Sequence, residues 1–578
     1  MKKGKIYEVR NITDLKDLLN QSSELFGDKS AFYIKGKDDK YFNITYSEFK
    51  NDVDSLGTSL VKLGLKDKFV AVMGENRYEW CTSYLSIANG VGVVVPLDKE
   101  LPPAEMQNLL TRSNAAAIIY SGKYQGIIDQ IEPELPDVRH FINMDSDEDQ
   151  GRFLSYSRLV DAGKEILASG DSSYTDAKID PEVLGVLLFT SGTTNLAKGV
   201  MLSHRNLVYD IMAIKKMIDV TSEDSILSIL PIHHTFECTC GFLFPIYTGV
   251  RISFNEGLKH ISKNLIETSP SLMIVVPLLL EGMYKKIWEQ AEKKGMAKKL
   301  RTGIKISNLL RVIGIDMRKK LFKDVLSNFG GKLRFVIAGA AALDPAVSKF
   351  LYDIGINALQ GYGLTECSPV VTGNREDCIK HHTIGYTLPG VEMKIVNMDK
   401  HGVGEFAVRG GNVMLGYFQN PEATEQVLKD GWFYTGDLGT VDKDGFFTIT
   451  GRQKNVIVTK NGKNIFPEEV ESYLNKSPYI LESLVWGRED ENSDETRVCA
   501  EIVPDMEAIK SNLTEASTTK EQLLKLISAE VKKVNKLMPH YKQIKNFEIR
   551  LEEFVKTTTK KIKRYVERNN NKQKPKKA

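Results

Sequence analysis

Short apolar runs alternate with amphipathic stretches through most of this chain. Buried strands are predicted by the runs 69–73, 91–96, 115–120, 183–189, 272–276 and 333–338. Helical spacing of apolar residues predicts a helix at 79–89 and another one behind Ser203, whose side chain is of the type that caps helix N-termini. Strands and helices that alternate in this way are typical of layered, parallel α/β structure.

The pattern changes after residue 385. Turn-forming sequences at 399–402 and 442–445 separate short strands, which favours a small β subdomain. A polar link at 450–455 precedes a compact stretch in which helices are predicted at 467–474 and 521–537. We therefore predict an α/β fold with three parts: a large N-terminal domain of layered α/β subdomains plus the small β subdomain, 1–453; a small α+β C-terminal domain, 454–566; and a disordered basic tail, 567–578.

Composition narrows the class of protein. The net charge of +3 over 578 residues argues against an electrostatic nucleic-acid binder. The N-terminus lacks the apolar core of a signal peptide, and no apolar run approaches the length that spans a bilayer. Cys238 and Cys240 are close in sequence, but no second pair stands at zinc-ligand spacing, so we expect reduced thiols in a cytoplasmic protein.

One stretch, 285–323, is helical in pattern and dense in Lys and Arg. A charge run of this kind is typical of a solvated helix face. It is also compatible with peripheral contact to an anionic membrane surface, but the sequence favours the solvated face.

The most informative stretch follows the predicted strand 183–189. It begins with a cluster of hydroxyls around a glycine and reaches Lys198 a few residues later. The glycine lets backbone approach a ligand, the hydroxyls donate hydrogen bonds, and the lysine supplies charge, so the loop is suited to phosphate oxygens. It fits neither the G-x-x-x-x-G-K-[ST] loop nor the G-x-G-x-x-G fingerprint, and a simple polar turn is the alternative.

Further stretches carry side chains of matching chemistry. In Q-G-Y-G-L-T-E, 360–366, a tyrosine ring between glycines can stack on a purine, and Glu366 offers a hard oxygen ligand for Mg²⁺. In Y-T-G-D-L, 434–438, the carboxylate of Asp437 can accept hydrogen bonds from two ribose hydroxyls. Taken singly, each stretch is compatible with an ordinary turn.

Together these motifs resemble those of the adenylate-forming superfamily, which includes acyl-CoA synthetases, luciferases and peptide-synthetase adenylation domains. The matches are to T-S-G-T-T-G-x-P-K-G at 190–199, Y-G-x-T-E at 362–366, Y-x-T-G-D-L, and K-T-x-x-G-K-I-x-R at 556–564. Three features make the long-chain fatty acyl-CoA synthetases the most similar branch: L-P-I-H-H-T-F-E at 230–237, the basic helical stretch, and F-V-I-A-G-A-A-A-L-D at 335–344. Asn195, Ala197 and Lys560 depart from the usual Gly, Pro and Gly.

The resemblance implies that a fatty acid reacts with ATP to give acyl-AMP, and that CoA then takes the acyl group, with Mg²⁺ bound by Glu366. It implies catalytic roles for Lys561, Glu366, Thr365 and Lys198. It implies nucleotide contacts from Thr190, Ser191, Gly192, Thr193, Thr194, Gly339, Ala340, Tyr362, Gly363, Asp437 and Arg452. His234 is expected at the acyl site, Lys454 at a hinge about which the C-terminal domain moves, and Gly462 in a loop that contacts CoA.

Two alternatives remain in view. An acyl-carrier-protein ligase would share the first step and use a different thiol, and the sequence separates it poorly from a CoA ligase. A non-catalytic acyl or nucleotide sensor would keep the fold alone, and the intact Glu366, Asp437 and Lys561 argue against it.

Overall fold

The computed structural model describes residues 5–36, 38–190, 197–459, 464–489, 496–512, 519–557, 562–564 and 566–567. The chain divides into two compact units. The first comprises 1–393, 408–433 and 444–446, and the second comprises 394–407, 434–443 and 447–578. The predicted domain boundary at 453/454 stays a prediction, and the predicted tail lies, apart from Glu567, outside the described residues.

An eight-stranded sheet of the first unit carries the hairpin that leads into and out of the hydroxyl-rich loop. Its strand order is Gly416–Tyr417, Lys198–Ser203, Leu184–Thr190, Gly92–Leu97, Lys68–Met73, Ala115–Tyr120, His140–Asn143 and Phe153–Ser155. The six strands from Leu184–Thr190 onward are parallel, whereas Lys198–Ser203 and Gly416–Tyr417 add antiparallel pairs at one edge. The predicted strands in this region are confirmed, and they are continuously apolar because helices cover them.

A second, nine-stranded sheet of the same unit has the order Tyr386–Thr387, Val370–Gly373, Asn357–Gly363, Phe335–Ala338, Leu272–Val275, Ser225–Ser228, Arg251–Phe254, Ser30–Lys35 and Tyr41–Thr45. The central strands are parallel and the pairs at both ends are antiparallel. The mixed sheets and covering helices confirm the predicted α/β class.

Helices of the first unit connect and cover these sheets. They span Leu15–Phe26, Tyr46–Lys62, Tyr78–Ser86, Pro103–Arg112, Gln125–Ile131, Tyr156–Ala168, His204–Lys215, Thr235–Glu237, Phe244–Thr248, Ile261–Thr268, Pro277–Lys293, Ala297–Val312, Arg318–Leu321, Lys323–Ser327, Pro345–Ile354 and Pro421–Val427. Ser203 caps the helix that follows it, as predicted, because its Oγ accepts a hydrogen bond from the Asn206 N–H at 3.2 Å. None of the described helices combines the length and apolar character needed to cross a bilayer.

A five-stranded sheet corresponds to the predicted β subdomain, with strands Glu392–Val396, Gly404–Arg409, Leu428–Lys429, Trp432–Val441 and Phe447–Arg452. In the second unit, a ribbon of Ile457–Val458 and Asn464–Ile465 precedes a three-stranded sheet, Ile480–Glu489, Thr496–Pro504 and Ile544–Ile549. This sheet shares an apolar core with the helices Pro467–Leu474, Met506–Asn512 and Lys520–Asn535. The helices predicted at 467–474 and 521–537 are therefore present.

Candidate active site

The hydroxyl-rich loop is the connection of a β-hairpin. Thr190 ends one strand, Lys198 begins the next, and the two residues face each other in the antiparallel register. The Thr190 hydroxyl donates to the Lys198 carbonyl at 3.4 Å, which closes the base of the loop. Ser191, Gly192, Thr193, Thr194 and Asn195, the remaining residues of the predicted phosphate loop, lie outside the described residues.

An arginine borders both ends of this loop. The Arg112 guanidinium lies over the Phe189 ring, 5.3 Å from its centroid, and donates to the Ala197 carbonyl at 2.9 Å. Its Nη1 is buried and has no hydrogen-bond partner within the described chain. Arg112 therefore adds positive charge to the base of the loop, at a position that carries no sequence motif.

A tyrosine connects the loop lysine with the glutamate of the Y-G-L-T-E motif. The Lys198 ammonium lies over the Tyr417 ring, 4.6 Å from its centroid. The Tyr417 hydroxyl donates to Glu366 Oε1 at 2.9 Å. Tyr417 reaches this position because its short strand pairs with Lys198–Ser203, where Tyr417 faces Val200. A cation and a carboxylate from distant motifs thus contact the same tyrosine, one at its ring and the other at its hydroxyl.

The acyl-site motif contacts the same region. The hydroxyls of Thr235 and Thr365 are 3.2 Å apart, so the two predicted motifs meet through a hydrogen bond. His234 caps the short helix Thr235–Glu237, and its Nδ1 accepts from the Phe236 N–H at 3.4 Å. His234 therefore fixes the direction in which the chain enters that helix.

At two of the predicted nucleotide-binding positions, close packing leaves no room for a side chain and therefore requires glycine. A Cβ on Gly339 would lie 2.8 Å from the Phe236 ring, and a Cβ on Gly363 would lie 2.0 Å from the Pro369 carbonyl oxygen. Ala340 has a positive φ of 69°, a conformation that is uncommon for a residue with a side chain. Tyr362 pairs with Thr372 on the adjacent strand and is buried.

A buried glutamate lies directly behind the acyl-site motif. Glu237 is 0% exposed, and its Oε1 accepts from the Ser228 hydroxyl at 2.6 Å. Burial raises the pKa of Glu237 to about 8, although hydrogen bonds from Ser228 and from the backbone of Leu230 and Ile229 oppose the shift. This carboxyl is therefore mostly protonated at neutral pH.

Asn76, from a distant part of the sequence, forms three hydrogen bonds with the same region. Its Nδ2 donates to Ser228 Oγ at 2.8 Å and to the Leu230 carbonyl at 2.7 Å, and its Oδ1 accepts from the Ile232 N–H at 3.1 Å. His233 in the same loop is buried, and burial lowers its pKa to about 3, so it is neutral. The loop that carries the predicted acyl-site motif is thus held by hydrogen bonds from a neutral, partly buried amide.

The second unit contains the predicted ribose acceptor. Asp437 and Arg452 face each other on neighbouring antiparallel strands, and Arg452 Nε lies 2.8 Å from Asp437 Oδ1. The Asp437 side chain is 3% exposed, whereas that of Arg452 is 45% exposed. The Thr435 hydroxyl accepts from the Asp437 N–H at 3.0 Å and donates to the Phe406 carbonyl. The Asp437 backbone is therefore well anchored.

The remaining predicted residues lie near the C-terminal motif and the link. Lys454 is exposed in a short 3₁₀ turn, Gln453–Asn455. Lys560, Lys561 and Gly462 lie outside the described residues. Lys556 and Ile562 form an isolated antiparallel bridge on either side of Lys561, and Arg564 pairs with the buried Glu471. Burial raises the pKa of Glu471 to about 7, an effect that the Arg564 charge opposes.

Of the predicted site residues, Glu366 is the proposed ligand for a divalent cation. The described residues contain no group of three or more His, Cys, Asp and Glu side chains arranged to hold a metal ion. Glu366 nevertheless fits Mg²⁺, because the Tyr417 hydroxyl engages only its Oε1 and Mg²⁺ is commonly held by one carboxylate together with substrate phosphates.

Comparison with known proteins agrees with this architecture. The fold is that of the adenylate-forming enzymes: an anthranilate CoA ligase, AuaEII, solved in complex with anthranoyl-AMP, matches with a TM-score of 0.76 at 21% identity and covers 98% of each chain. The family description "AMP-binding enzyme" matches residues 19–418, and "AMP-binding enzyme C-terminal domain" matches residues 454–576. The chain belongs to the AMP-binding enzyme family.

Two curated relatives indicate the branch. The long-chain-fatty-acid–CoA ligase FadD15 of Mycobacterium bovis is 28% identical and covers 93% of this chain and 92% of its own length. The chloroplastic long-chain-fatty-acid–[acyl-carrier-protein] ligase AEE15 of Arabidopsis thaliana is 28% identical and covers 89% of this chain and 79% of its own length. The predicted family, with its fatty-acid ligase branch, is therefore confirmed.

Sequence motifs alone missed several residues of this region. Tyr417 lies 51 residues from Glu366, and Asn76 and Arg112 lie outside every motif. Nothing in local spacing could have linked them to the site, because their contacts depend on strand order. Glu237 ends the motif 230–237, and the apolar residues near it in the sequence could have indicated that its carboxyl is buried.

Proposed function

We propose that this protein is an AMP-forming ligase that activates a long-chain fatty acid with ATP and transfers the acyl group to CoA. The observation that carries the proposal is the connection of Lys198 and Glu366 through Tyr417, in a chain that aligns with FadD15 over 93% of its length. The connection joins a cation suited to phosphate with a carboxylate suited to Mg²⁺.

The reaction has two steps. A carboxylate oxygen of the fatty acid attacks the α-phosphorus of ATP, the bond to the β-phosphate oxygen breaks, and acyl-AMP and pyrophosphate form. The CoA thiol, losing its proton, then attacks the acyl carbonyl, and AMP leaves as the thioester forms. No nucleophilic side chain is needed, because the two substrates supply the attacking atoms.

The protein contributes charge and orientation. The carboxylate and the triphosphate repel each other, so Lys198 and Lys561 are proposed to offset negative charge where it develops. The hydroxyls and amides of 190–194 bind phosphate oxygens, and Thr365 approaches the same group. Tyr362, Gly363, Gly339 and Ala340 line the adenine side, and Asp437 with Arg452 binds the ribose.

Mg²⁺ is proposed to be held by Glu366. When bound, it neutralises phosphate charge and thereby favours attack at phosphorus. Tyr417 orients the carboxylate for this role by donating to its Oε1.

The acyl chain is proposed to enter beside His234, which fixes the start of the helix Thr235–Glu237. For the second step we propose that the C-terminal domain, 454–566, turns about Lys454 relative to domain 1–453. The loop that contains Gly462 is then proposed to contact the pantetheine arm of CoA.

The test is pyrophosphate release from ATP across a panel of carboxylic acids, from short aliphatic to long-chain and aromatic acids. Long-chain fatty acids should give the highest kcat/KM, and with CoA present the release should be matched mole for mole by acyl-CoA and AMP. Release that is equally efficient with aromatic or short acids would contradict the substrate class, and no release with any acid would contradict the activity.

An acyl-carrier-protein ligase is the second candidate, and the similarity to AEE15 is what favours it. The first step is common to both functions. The two functions are distinguished by adding either CoA or a phosphopantetheinylated carrier protein to enzyme that holds acyl-AMP, and by measuring the rate of AMP release. If AMP release is faster with the carrier protein than with CoA, the carrier protein is the acyl acceptor and the CoA ligase proposal is wrong.

We propose in addition that the protein is cytoplasmic and meets a membrane surface peripherally through residues 285–323. Long-chain fatty acids partition into bilayers, so a ligase that acts on them gains access to substrate at that surface. The excess of Lys and Arg in this stretch supports contact with anionic lipid.

A further inference from the structure

One segment of the first unit, residues 411–417, runs beside the short turn that carries Glu366. The Met414 N–H donates to the Glu366 carbonyl at 2.9 Å, and the Tyr417 hydroxyl donates to Glu366 Oε1 at 2.9 Å. The main chain and the side chain of Glu366 are therefore both held from this one segment. We call residues 411–417 the supporting segment, since a shift in it would disturb both contacts.

Asn412 joins the supporting segment to the chain that follows Glu366. It is 0% exposed, and its Nδ2 donates to the Val370 carbonyl at 2.9 Å. The Ser368 hydroxyl in turn donates to the Asn412 carbonyl at 2.9 Å. The contacts move from residue 370 back to residue 366 as the supporting segment advances from 412 to 417, so the two stretches run antiparallel. Asn412 therefore fixes the supporting segment on the C-terminal side of Glu366.

Asn206 anchors the same segment from the helix His204–Lys215. Its Nδ2 donates to the carbonyls of Gly411 and Val413, at 2.8 and 2.9 Å, on either side of Asn412. Its Oδ1 accepts from the backbone N–H of the residue that caps the helix, at 2.9 Å. The backbone around Asn412 is thus tied to a helix N-terminus, and the Asn412 side chain extends from an anchored position.

The contacts of Asn412 matter because of what Glu366 is proposed to do. A carboxylate that holds a metal ion is kept in its orientation by the groups that hydrogen-bond around it. Asn412 can act on Glu366 through the polypeptide, by way of Ser368 on one side and Met414 on the other. A buried asparagine that only completed the packing of two stretches would contribute to folding and have no effect on Mg²⁺.

We propose that Asn412 is a positioning residue for adenylation. It holds the supporting segment against 366–370 and thereby orients the Glu366 carboxylate toward Mg²⁺ that is bound together with ATP. The inference rests on the proposed ligase function, and it adds to that function a residue that belongs to none of the motifs found in the sequence.

The experiment compares Asn412→Ala with the wild-type chain in pyrophosphate release over a range of Mg²⁺ concentrations. The variant should need about tenfold more Mg²⁺ to reach half of its maximal rate, because removing a group that orients a metal ligand weakens metal binding by about ten- to hundredfold. The KM for the fatty acid should change by less than about twofold. Thioester formation from supplied acyl-AMP and CoA should keep the wild-type rate, since no role in that step is proposed for Glu366.

Calorimetry of ATP binding, with Mg²⁺ and with a chelator, gives a measurement that does not depend on turnover. Wild-type protein should bind ATP more tightly with Mg²⁺ than with the chelator. Asn412→Ala should lose most of this difference, while the two proteins should bind ATP equally in the chelator. Thermal melting of each variant reports on folding.

A double-mutant cycle with Tyr417→Phe tests whether Asn412 acts through Glu366. Both substitutions disturb the same carboxylate, so the double variant should lose less rate than the product of the two single losses. Asn264→Ala is the matched control, because Asn264 is also 0% exposed and its Oδ1 accepts from the Glu256 N–H at 3.0 Å. The control should have the wild-type dependence on Mg²⁺ in both measurements.

A folded Asn412→Ala protein with the wild-type dependence on Mg²⁺ would overturn the proposal. An equal loss in both half-reactions would overturn it as well, because it indicates a general structural role, and so would losses that multiply fully in the cycle. If Asn412→Ala does not fold, Asn412→Asp keeps the side-chain volume without the N–H donor and should show the same shift in Mg²⁺ dependence. If the wild-type chain releases no pyrophosphate with any acid, the ligase proposal fails, and the ATP-binding comparison then decides the role of Asn412 by itself.

Discussion

Tyr417 is the residue at which two distant motifs meet, with Lys198 over its ring and Glu366 at its hydroxyl. Its two functions can be separated by substitution, because the ring and the hydroxyl have different partners. A hydrogen bond to a carboxylate contributes about 1.5–3 kcal/mol, whereas a cation over an aromatic ring contributes about 0.5–1 kcal/mol at an exposed site.

Tyr417→Phe should therefore lower the rate of pyrophosphate release about tenfold or more, because Glu366 loses the donor that orients it. Tyr417→Leu removes the ring as well and should lower the rate further. Rates are measured at saturating ATP beside a thermal melt of each variant. A Tyr417→Phe enzyme with the wild-type rate would show that this contact has no part in adenylation.

Glu237 makes the stability of the folded chain depend on pH. The carboxyl is fully buried, and the titratable groups that face it are the buried thiols of Cys81, Cys238 and Cys240. Because the folded pKa of about 8 lies above the ordinary value of 4.5, the folded protein holds a proton that the unfolded chain releases. Its stabilising contribution is complete below pH 4.5 and is lost as the pH rises to about 8.

Glu237→Gln should remove this dependence. The amide keeps an acceptor for the Ser228 hydroxyl and cannot ionise, so we expect little change near pH 4.5 and a growing advantage of the variant up to pH 8. The slope of the difference is at most about 1.4 kcal/mol per pH unit. Unfolding midpoints in urea for both proteins across this range provide the measurement, and parallel curves would refute the assignment.

At the scale of elements, the pairing of the strands Trp432–Val441 and Phe447–Arg452 holds the proposed ribose acceptor. Asp437 is nearly buried and is in an ion pair with the half-exposed Arg452. Removing the carboxylate leaves the guanidinium in contact with water, so the strands should remain paired.

Asp437→Ala should weaken the apparent affinity for ATP by about 1–3 kcal/mol, because the ribose hydroxyls lose a charged acceptor. The apparent affinity for the fatty acid should change much less. Glu392→Ala is a matched control, since Glu392 is also in an ion pair, with Arg409 at 2.8 Å, and has no proposed role. Unchanged ATP affinity in Asp437→Ala would make Asp437 a structural partner of Arg452 only.

At the scale of the whole molecule, the proposed two half-reactions divide between two proposed arrangements of the chain. One arrangement uses Lys561 for adenylation, and the other uses the loop of Gly462 for thioester formation. A hinge residue has to change its backbone dihedral angles between them, and proline fixes φ near about −65°.

Lys454→Pro should therefore leave acyl-AMP formation and abolish thioester formation, with pyrophosphate released in a burst and acyl-AMP retained on the enzyme. Lys454→Ala, which keeps backbone freedom, should retain both half-reactions. Each half-reaction is measured separately, together with a thermal melt. Wild-type rates in both half-reactions of a normally folded Lys454→Pro protein would remove the hinge from this proposal.

The sequence by itself determined the family, the α/β class and most helices and strands, because these depend on local order. Apolar runs, helix caps and short motifs are defined by residues a few positions apart, as in the strand at 183–189 and the cap at Ser203. The same local logic predicted Thr190, Lys198, Glu366 and Asp437 as candidates, with roles that stay predictions.

The tertiary structure alone decided which of these residues meet. The apolar piece after Lys198 is a strand that pairs back on Leu184–Thr190, and this pairing is what admits Tyr417 at the sheet edge. Thr235 and Thr365 are separated by 130 residues, and Glu237 owes its raised pKa to burial on all sides. Contacts across such distances follow from strand order and packing, which local spacing does not encode, and so they became visible only in the folded chain.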